Sequence, residues 1–577
     1  MPTPDEPRRP QVAPAPADAA EAVLAAYERW ADGFAEITRR APRRFRARDW
    51  RGAQADAAER LTLYGAAVDD CVAGLRGRLS AADAEQARER FAARVQGRPD
   101  GELAQTFFSS VVRRVLGTVG VDARTEFTAD ADPRDLAPAP VHAHPAAGAG
   151  PALFEAVFRA TELADAFADL PGDAALCARA LQAQLGADAA RVRAAEMLPA
   201  LFYRNKGVYL VGRLRLDGGE ACPLVVPLLH PPEGVRPDAV LTDEDDVSVV
   251  FSFARSYFHV DVREPGAAVA FLRSLMPAKP PHELYISLGF NRHGKTELYR
   301  ALRHLLAQPD TRFELAEGAR GLVMSVFTLP ASNLVFKVIR DRFGAPKETS
   351  PEQVREHYRL VFRLDRVGRL VDAQEFENLE FPRARFSDEV LRELLSETAS
   401  SVKIDGEHVV VRHVYTERRL RPLDLYLQEA AEADAVAAVV EYGQAIKDLA
   451  CADIFPGDLL IKNFGVSRHG RVIFYDYDEL TLLTRVRFRA LPTARYDDEE
   501  LSADPWFAVD ERDVFPEEFL PFLLPPGTLR DAFLAVHADL LTPQFWREMQ
   551  QRQQAGEVPD FFPYPPQRRL HPRATST

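Results

Sequence analysis

Cysteine is scarce: Cys71, Cys177, Cys222 and Cys451 are the only four in 577 residues. They are scattered, with neither the paired spacing of a zinc site nor the density of a disulfide framework, which points to reduced thiols and a cytoplasmic protein. Long apolar runs are missing as well, so no stretch reaches the length of a membrane-spanning helix. The N-terminus, MPTPDEPRRPQVAPAPADAA, lacks the hydrophobic region of a signal peptide. Positive charge is in deficit, with 72 Lys and Arg against 86 Asp and Glu and a net charge of −14 at pH 7. That balance excludes a general nucleic-acid or anionic-membrane binder while leaving room for a local basic patch. With 46% apolar and 27% charged residues the composition is that of a globular protein. The length corresponds to roughly three or four domains' worth of chain.

Residues 1–18 are expected to lack order. From Ala19 the pattern turns helical, with Val23, Tyr27, Trp30, Phe34 and Ile37 recurring at three- and four-residue steps. The stretches 50–95 and 102–117 continue it, a Pro/Ala/Gly-rich linker follows at 128–151, and helical periodicity resumes from Leu153 to about Leu201. His142 and His144 form an H-x-H in the linker, which is no metal site by itself. At Val208 the texture changes: YLVGRLRL-DGGEA-CPLVVPLLH reads as a hairpin, VSVVFSFARSYFHVDV as one or two further strands, and GAAVAFLRSLMP as a helix. Residues 19–310 are thus expected to form a mainly helical domain with a small β element near 205–262. Within it, Gly289, Gly294, Lys295 and Thr296 match G-x-x-x-x-G-K-T between a strand-like apolar run and a helix. The bulky loop residues Phe290–His293 and the antiparallel pattern that follows argue against a phosphate loop. A basic Arg292/Lys295 cluster that contacts an anion or caps a helix is expected instead.

The second half is organised around DIFPGDLLIKNFGVSRHGRVIFYDYD (453–478). Asp458 and Asn463 stand five apart, the interval of the catalytic Asp and metal-binding Asn in the protein-kinase loop. Asp476 ends the following apolar strand where the second magnesium-binding Asp of a kinase would sit. Asp458 can orient and accept the proton of an attacking hydroxyl, while Asn463 and Asp476 offer hard oxygens to Mg²⁺. Asp478, two residues on, would share a strand face with Asp476 and add a second acid near the phosphate. Upstream, a hairpin bearing Gly318 and Gly321 precedes the strand NLVFKVIRD, whose Lys337 matches the lysine that pairs the α/β-phosphates. Ser350-Pro351-Glu352-Gln353 is a capping box opening a helix, from which Glu352 or Glu356 is expected to pair with Lys337. The strand HVVVRHVYTE is expected to end in the hinge, with the backbone of Tyr415–Glu417 meeting adenine. The altered H-R-D (Phe455-Pro-Gly-Asp458), the altered D-F-G (Asp476-Tyr-Asp478) and the absence of A-P-E set the chain apart from ordinary protein kinases. An atypical small-molecule kinase and an ATP-binding pseudokinase scaffold are the alternatives these departures suggest.

The motifs GFNRHGKTELYR (289–300), EGARGLVM…NLVFKVIRDRFGAPK (317–347), DRVGRLVDAQEFENL (365–379) and DIFPGDLLIKNFGV…RVIFYDYDEL resemble the bacterial isocitrate dehydrogenase kinase/phosphatase family over most of the chain. The resemblance implies an α+β architecture, an N-terminal helical regulatory domain and then a bilobal kinase-like domain. In this sequence those are 19–310 and 311–560, with lobes 311–417 and 418–560 and a Pro-rich tail 561–577. It implies ATP-dependent phosphorylation of an active-site serine of isocitrate dehydrogenase, diverting isocitrate into the glyoxylate bypass, and removal of that phosphate at the same site with ADP bound. AMP is implied as allosteric effector and Mg²⁺ as cofactor. Carried over by motif, Ala316, Glu317, Gly318, Ala319, Arg320, Gly321, Leu322, Lys337 and Glu417 bind nucleotide. Asp458, Asp372, Asp478 and Lys462 are the catalytic set, Asp478 serving the phosphatase direction, and Asn463 and Asp476 hold metal. Isocitrate dehydrogenase is the implied partner, with no nucleic acid or membrane and with a homodimer left open.

Overall fold

The aromatic and aliphatic residues that recur through residues 19–37 are buried on one face of a long helix, Pro16–Arg46. That face packs on helices Trp50–Leu75, Ala81–Val95 and Gly101–Leu116, where Trp30 meets Tyr64 edge-on at 5.2 Å and stacks with Phe107 at 6.3 Å. The structure is a computed structural model; it describes residues 16–129, 138–252, 257–318, 320–344, 349–364, 366–492 and 507–571. The expected disorder of 1–18 falls largely outside these residues.

The β element is larger than expected and begins earlier. Six antiparallel strands, His142–Pro145, Val192–Met197, Phe202–Arg204, Gly207–Leu216, Ala221–Leu229 and Arg236–Pro237, form one sheet. The hairpin at DGGEA is present, turning at Gly218 and Gly219 with φ of 92° and 87°. The expected helix to Leu201 instead ends at Leu185, and VRAAEM, Val192–Met197, is a strand whose register slips between Val192 and Ala194. That bulge interrupts the two-residue alternation that would have announced it. His142 and His144 stand on the edge strand paired with it. VSVV, expected to begin a strand, lies in a short helix, Glu244–Val250, whose cap Asp243 accepts hydrogen bonds from the Asp245 and Asp246 amides at 2.8 and 3.3 Å. GAAVAFLRSL is helical as expected, within Pro265–Leu275.

HELYIS is also a helix, Pro281–Ser287, so no strand leads into the G-K-T segment. Gly289 turns the chain at φ 95° into helix Asn291–Ala307, where Gly294 packs so closely that a Cβ would lie 2.6 Å from the His282 carbonyl. These glycines serve helix packing, and no phosphate loop is present.

In the second half, Glu314–Leu315, Met324–Thr328, Leu334–Ile339, His408–Arg418 and Ala373–Pro382 lie side by side in that order as an antiparallel sheet, with Val402–Asp405 on the outer part of His408–Arg418. The capping box forms: Gln353 N donates to Ser350 Oγ at 3.3 Å and Ser350 N to Gln353 Oε1 at 2.8 Å, opening helix Pro351–Leu364. Val354, Tyr358 and Val361 of that helix are buried, joining the sheet to a mainly helical lobe built on Glu432–Cys451, Thr528–His537 and Pro543–Gln554.

The Pro-rich segment expected as a tail is a strap over its described part. Residues 561–571 lie on the first-half sheet, where the fully buried Asp238 takes hydrogen bonds from Tyr564 Oη at 2.7 Å and from Arg569 at 2.8 and 2.9 Å.

Candidate active site

Lys337 sits mid-strand in Leu334–Ile339, paired on one side with Val326 and on the other with Tyr415. It is 7% exposed, and its Nζ lies 2.7 Å from Glu417 Oε2 and donates to the Tyr475 carbonyl at 2.8 Å. Glu417 is 2% exposed, and Tyr358 Oη donates to its other oxygen at 3.1 Å. Burial pushes the Glu417 carboxyl above its ordinary value, Lys337 opposes that, and nearby Asp476 adds to it.

Two expectations are corrected here. Glu352 and Glu356 are both exposed, so neither meets Lys337; the helix contributes Tyr358, and the acid comes from the neighbouring strand. Glu417 therefore has a side-chain role in place of a backbone one. Thr416 and Glu417 are laddered to Gln374 and Ala373 on one side and to Phe336 and Val335 on the other. That backbone has no edge free for adenine, and the crossover between lobes falls just after it, from Arg419, which donates its amide to the Asn333 carbonyl at 2.7 Å, to Arg421–Pro422, which pairs with Gly465–Val466.

The catalytic loop is shaped by a glycine. Gly457 has φ 80°, and a Cβ there would lie 2.4 Å from the Glu479 carbonyl. Asp458 follows, half-buried, its Oδ1 accepting from the Leu460 amide at 2.9 Å. Tyr442, on the long helix beneath, donates its hydroxyl to the Leu459 carbonyl. Asn463 is 3% exposed; its Nδ2 donates to the Asp458 carbonyl at 3.4 Å, leaving Oδ1 as the atom suited to a cation. Lys462 is exposed on the short turn Ile461–Asn463. Strands Phe464–Val466 and Val472–Phe474 pair in a hairpin, and Tyr475 N donates to Asn463 O at 3.1 Å, which draws Asp476 beside Asn463.

Asp476 and Asp478 lie beyond the end of strand Val472–Phe474, so the shared strand face expected for them is not formed. Between them Tyr477 is buried, donating to the Val371 carbonyl at 2.7 Å and meeting Tyr358 edge-on at 5.1 Å. His357, on the same helix as Tyr358, faces the backbone of Tyr477 and Asp478. Asp372, for which sequence spacing offered no role, is carried here by a parallel bridge. Leu370 pairs with Phe474, with Phe474 N bonded to Arg369 O at 2.9 Å and Val371 N to Phe474 O at 3.2 Å. Asp372 follows Leu370 by two residues, as Asp476 follows Phe474, and Gln374 Nε2 holds its carboxylate at 2.6 Å.

The glycine hairpin closes the other side. Ala316 N bonds to Val326 O at 3.1 Å, Gly318 adopts φ 105°, and Gly321 lies so close to Met324 that a Cβ would be 3.2 Å from its carbonyl. Glu317 is ion-paired at 2.7 Å to Arg421, just past the hinge strand, and Arg320 lies 3.3 Å from Glu389. Leu322 is exposed, and Ala319 lies outside the described residues. Tyr358 and Arg421 were missed by sequence reasoning; no spacing rule marks either, because each acts across elements far apart in the chain.

The models of the isocitrate dehydrogenase kinase/phosphatase (AceK) regulatory domain and kinase domain match residues 20–310 and 311–566. The chain belongs to that family. Proteins named isocitrate dehydrogenase kinase/phosphatase from Anaeromyxobacter sp. (strain Fw109-5) and Xanthomonas axonopodis pv. citri (strain 306) are 51% and 45% identical over 560 and 564 residues. Each alignment covers 96% of this chain and 97% of the relative. The chain is thus a kinase/phosphatase whose kinase domain uses ATP, and the pseudokinase and small-molecule-kinase alternatives are not favoured. Among the described residues no helix is long and apolar enough to cross a membrane.

Proposed function

We propose that the protein phosphorylates an active-site serine of isocitrate dehydrogenase with ATP and, at the same site with ADP bound, removes that phosphate, setting flux between the tricarboxylic acid cycle and the glyoxylate bypass. The observation that carries this reading is the meeting of Lys337, Glu417, the Asp458–Asn463 loop and Tyr475–Asp476 at one end of the sheet, inside the matched kinase domain. Asp458 orients the incoming serine hydroxyl and accepts its proton. Lys337, fixed by Glu417, binds the α- and β-phosphates, and the backbone of 316–322 covers the others. Asn463 and Asp476 form an all-oxygen donor pair that fits Mg²⁺, which when bound neutralises charge developing on the phosphates. Lys462 faces solvent at the mouth, where a phosphoserine would enter. Asp478 and Asp372 flank Asp476 and serve the phosphatase direction.

The division into a regulatory domain, 19–310, and a catalytic domain, 311–560 with lobes meeting after Glu417, follows this assignment. The AMP-type effector is placed on the regulatory side near Arg292 and Lys295, where Lys295 lies 4.6 Å over the Phe376 ring with Glu375 and Glu377 in its field. Free cysteines are in keeping with the cytoplasm. The test incubates the protein with Mg²⁺, labelled ATP and isocitrate dehydrogenase, with and without AMP. Label on a dehydrogenase serine, lost when AMP is added and absent throughout with Asp458→Ala, is the expected result. ATP binding without any label on the dehydrogenase would remove the substrate assignment.

A further inference from the structure

A cleft lined by residues of both halves of the chain carries several arginines, and the reaction described above does not use it. Its first-half wall carries Arg44 and Asp56, on helices Pro16–Arg46 and Trp50–Leu75, with Arg204 and His259 from the sheet region. Its other wall carries Arg363 and Arg366, at and just beyond the end of helix Pro351–Leu364. Among the described lining residues four arginines stand against one aspartate in a chain of net charge −14, and one of them, Arg204, also donates to the Val250 carbonyl at 2.7 Å. The aspartate is already engaged, with Asp56 ion-paired to Arg44 at 2.9 Å and to Arg40 at 3.2 Å. Arg363 and Arg366 form no ion pair among the described residues, and Asn205 Nδ2 holds the Arg366 carbonyl at 2.9 Å, fixing that segment to the first half.

A second observation points to a ligand. His259 is 8% exposed, its backbone bridged to Tyr203 by hydrogen bonds of 2.8 and 3.0 Å, and its Nε2 is buried without a hydrogen-bond partner. Buried polar atoms are nearly always satisfied, so an imidazole nitrogen left over in the wall of a cleft that carries arginines marks the place of a missing hydrogen-bond partner. The room is small: a cavity of about 70 Å³, several times what one water needs. Guanidinium groups approaching from different elements suit a tetrahedral group with several acceptor oxygens better than a planar carboxylate.

We propose that this cleft binds a phosphate dianion through Arg204, Arg363 and Arg366 with His259 Nε2 donating beneath it, and thereby fixes the end of helix Pro351–Leu364 against the regulatory half. The dianion is either free orthophosphate or the phosphate of a compact metabolite. His357, on the same helix, faces the backbone of Tyr477 and Asp478, so occupancy reports to the segment that carries Asp476 and Asp478; this last link rests on the proposed function, while the binding itself does not.

Calorimetric titration of the full chain at constant ionic strength tests it, with inorganic phosphate and glycerol 3-phosphate as probes and chloride as control. One saturable site is expected, weakened tenfold or more in Arg363→Gln/Arg366→Gln and also in His259→Gln. Arg363 is exposed, so the single Arg363→Gln variant, which keeps the fold, is expected to show a smaller loss in the same direction. Tighter binding of orthophosphate identifies the free ion as ligand, and tighter binding of glycerol 3-phosphate identifies a phosphorylated metabolite. Absence of saturable heat with both probes overturns the proposal, as does an affinity unchanged by Arg363→Gln/Arg366→Gln, which would place the binding in the nucleotide site. No turnover is measured, so this experiment can fail while the kinase assignment stands.

Discussion

Replacing Lys337 by Met isolates the energetics of the lysine clamp. It removes the partner 2.7 Å from a carboxylate that is 2% exposed and leaves the Tyr358 hydroxyl donating to it. Breaking a buried pair by deleting one partner costs about 3–5 kcal/mol when the other charge stays buried. Glu417 has a way out, because burial already raises its pKa above the ordinary 4.5 and loss of Lys337 raises it further. Where the folded-state pKa of a carboxyl lies above the unfolded one, the native state holds the extra proton, and stability falls as pH rises between the two values. The variant should therefore lie within about 1 kcal/mol of the wild type near pH 5, only half a unit above the ordinary 4.5 of the unfolded chain. Above that it should lose stability by up to about 1.4 kcal/mol per pH unit until Glu417 ionises. Lys337→Met/Glu417→Gln should recover most of the loss at pH 8 while staying inactive. The assay is urea unfolding followed by near-ultraviolet circular dichroism at pH 5, 6.5 and 8. A Lys337→Met penalty independent of pH, or one the double variant does not relieve, would refute the reasoning.

Gly457→Ala forces a Cβ into the Glu479 carbonyl at a left-handed φ, costing about 1–3 kcal/mol. By displacing Asp458 it should also lower kcat about 100-fold; kcat within twofold of wild type would show that the turn does not position the base. Asp238→Ala leaves Arg569 and Tyr564 without their buried acceptor, a loss of about 3–5 kcal/mol. Limited proteolysis should then cut between residues 558 and 571 well before wild type, and unchanged protection would mean that the strap is held elsewhere. Burial pulls Lys279 down to about 8, against the attraction of Glu283 at 3.2 Å. The unfolded chain binds the extra proton between pH 8 and its ordinary 10.5, so wild-type stability should rise across that window. Lys279→Met should flatten the rise, and an unaltered slope would assign it to other groups.

Much of the site was legible because kinase chemistry is written in short local spacings. The Asp458–Asn463 interval, the apolar strand just before Asp476 and the mid-strand Lys337 each need only one hairpin or one strand to be recognised. The capping box was equally plain, since its hydrogen bonds close within three residues. What escaped were relations between distant segments. The bulge at Val192–Ala194 erased the alternation of its strand, and the acidic start of Glu244–Val250, a legible N-cap signal, was outweighed by its β-branched residues. Asp372 reaches the site through a parallel bridge that no periodicity announces.

The partner of Lys337 is the most consequential of these differences. With a helix-borne glutamate, withdrawing the helix breaks the ion pair and disables the lysine. Here the acid stands on the adjacent strand of the same sheet, held by two ladders, so the pair persists wherever the helix lies. The helix contributes the Tyr358 hydroxyl to Glu417 and faces the backbone of Tyr477–Asp478 through His357. Moving it would cost about one hydrogen bond at the lysine, of order 1 kcal/mol, in place of a buried ion pair. It would at the same time shift the segment that carries Asp476 and Asp478. Regulation through this helix should therefore change the placement of the two acids more than nucleotide affinity. Tyr358→Phe, which removes the hydroxyl and keeps the ring between Tyr415 and Tyr477, should leave the KM for ATP within about threefold, the loss of about one hydrogen bond's weaker half, while altering kcat. A variant that changed the KM for ATP more than kcat would put the control back at the lysine.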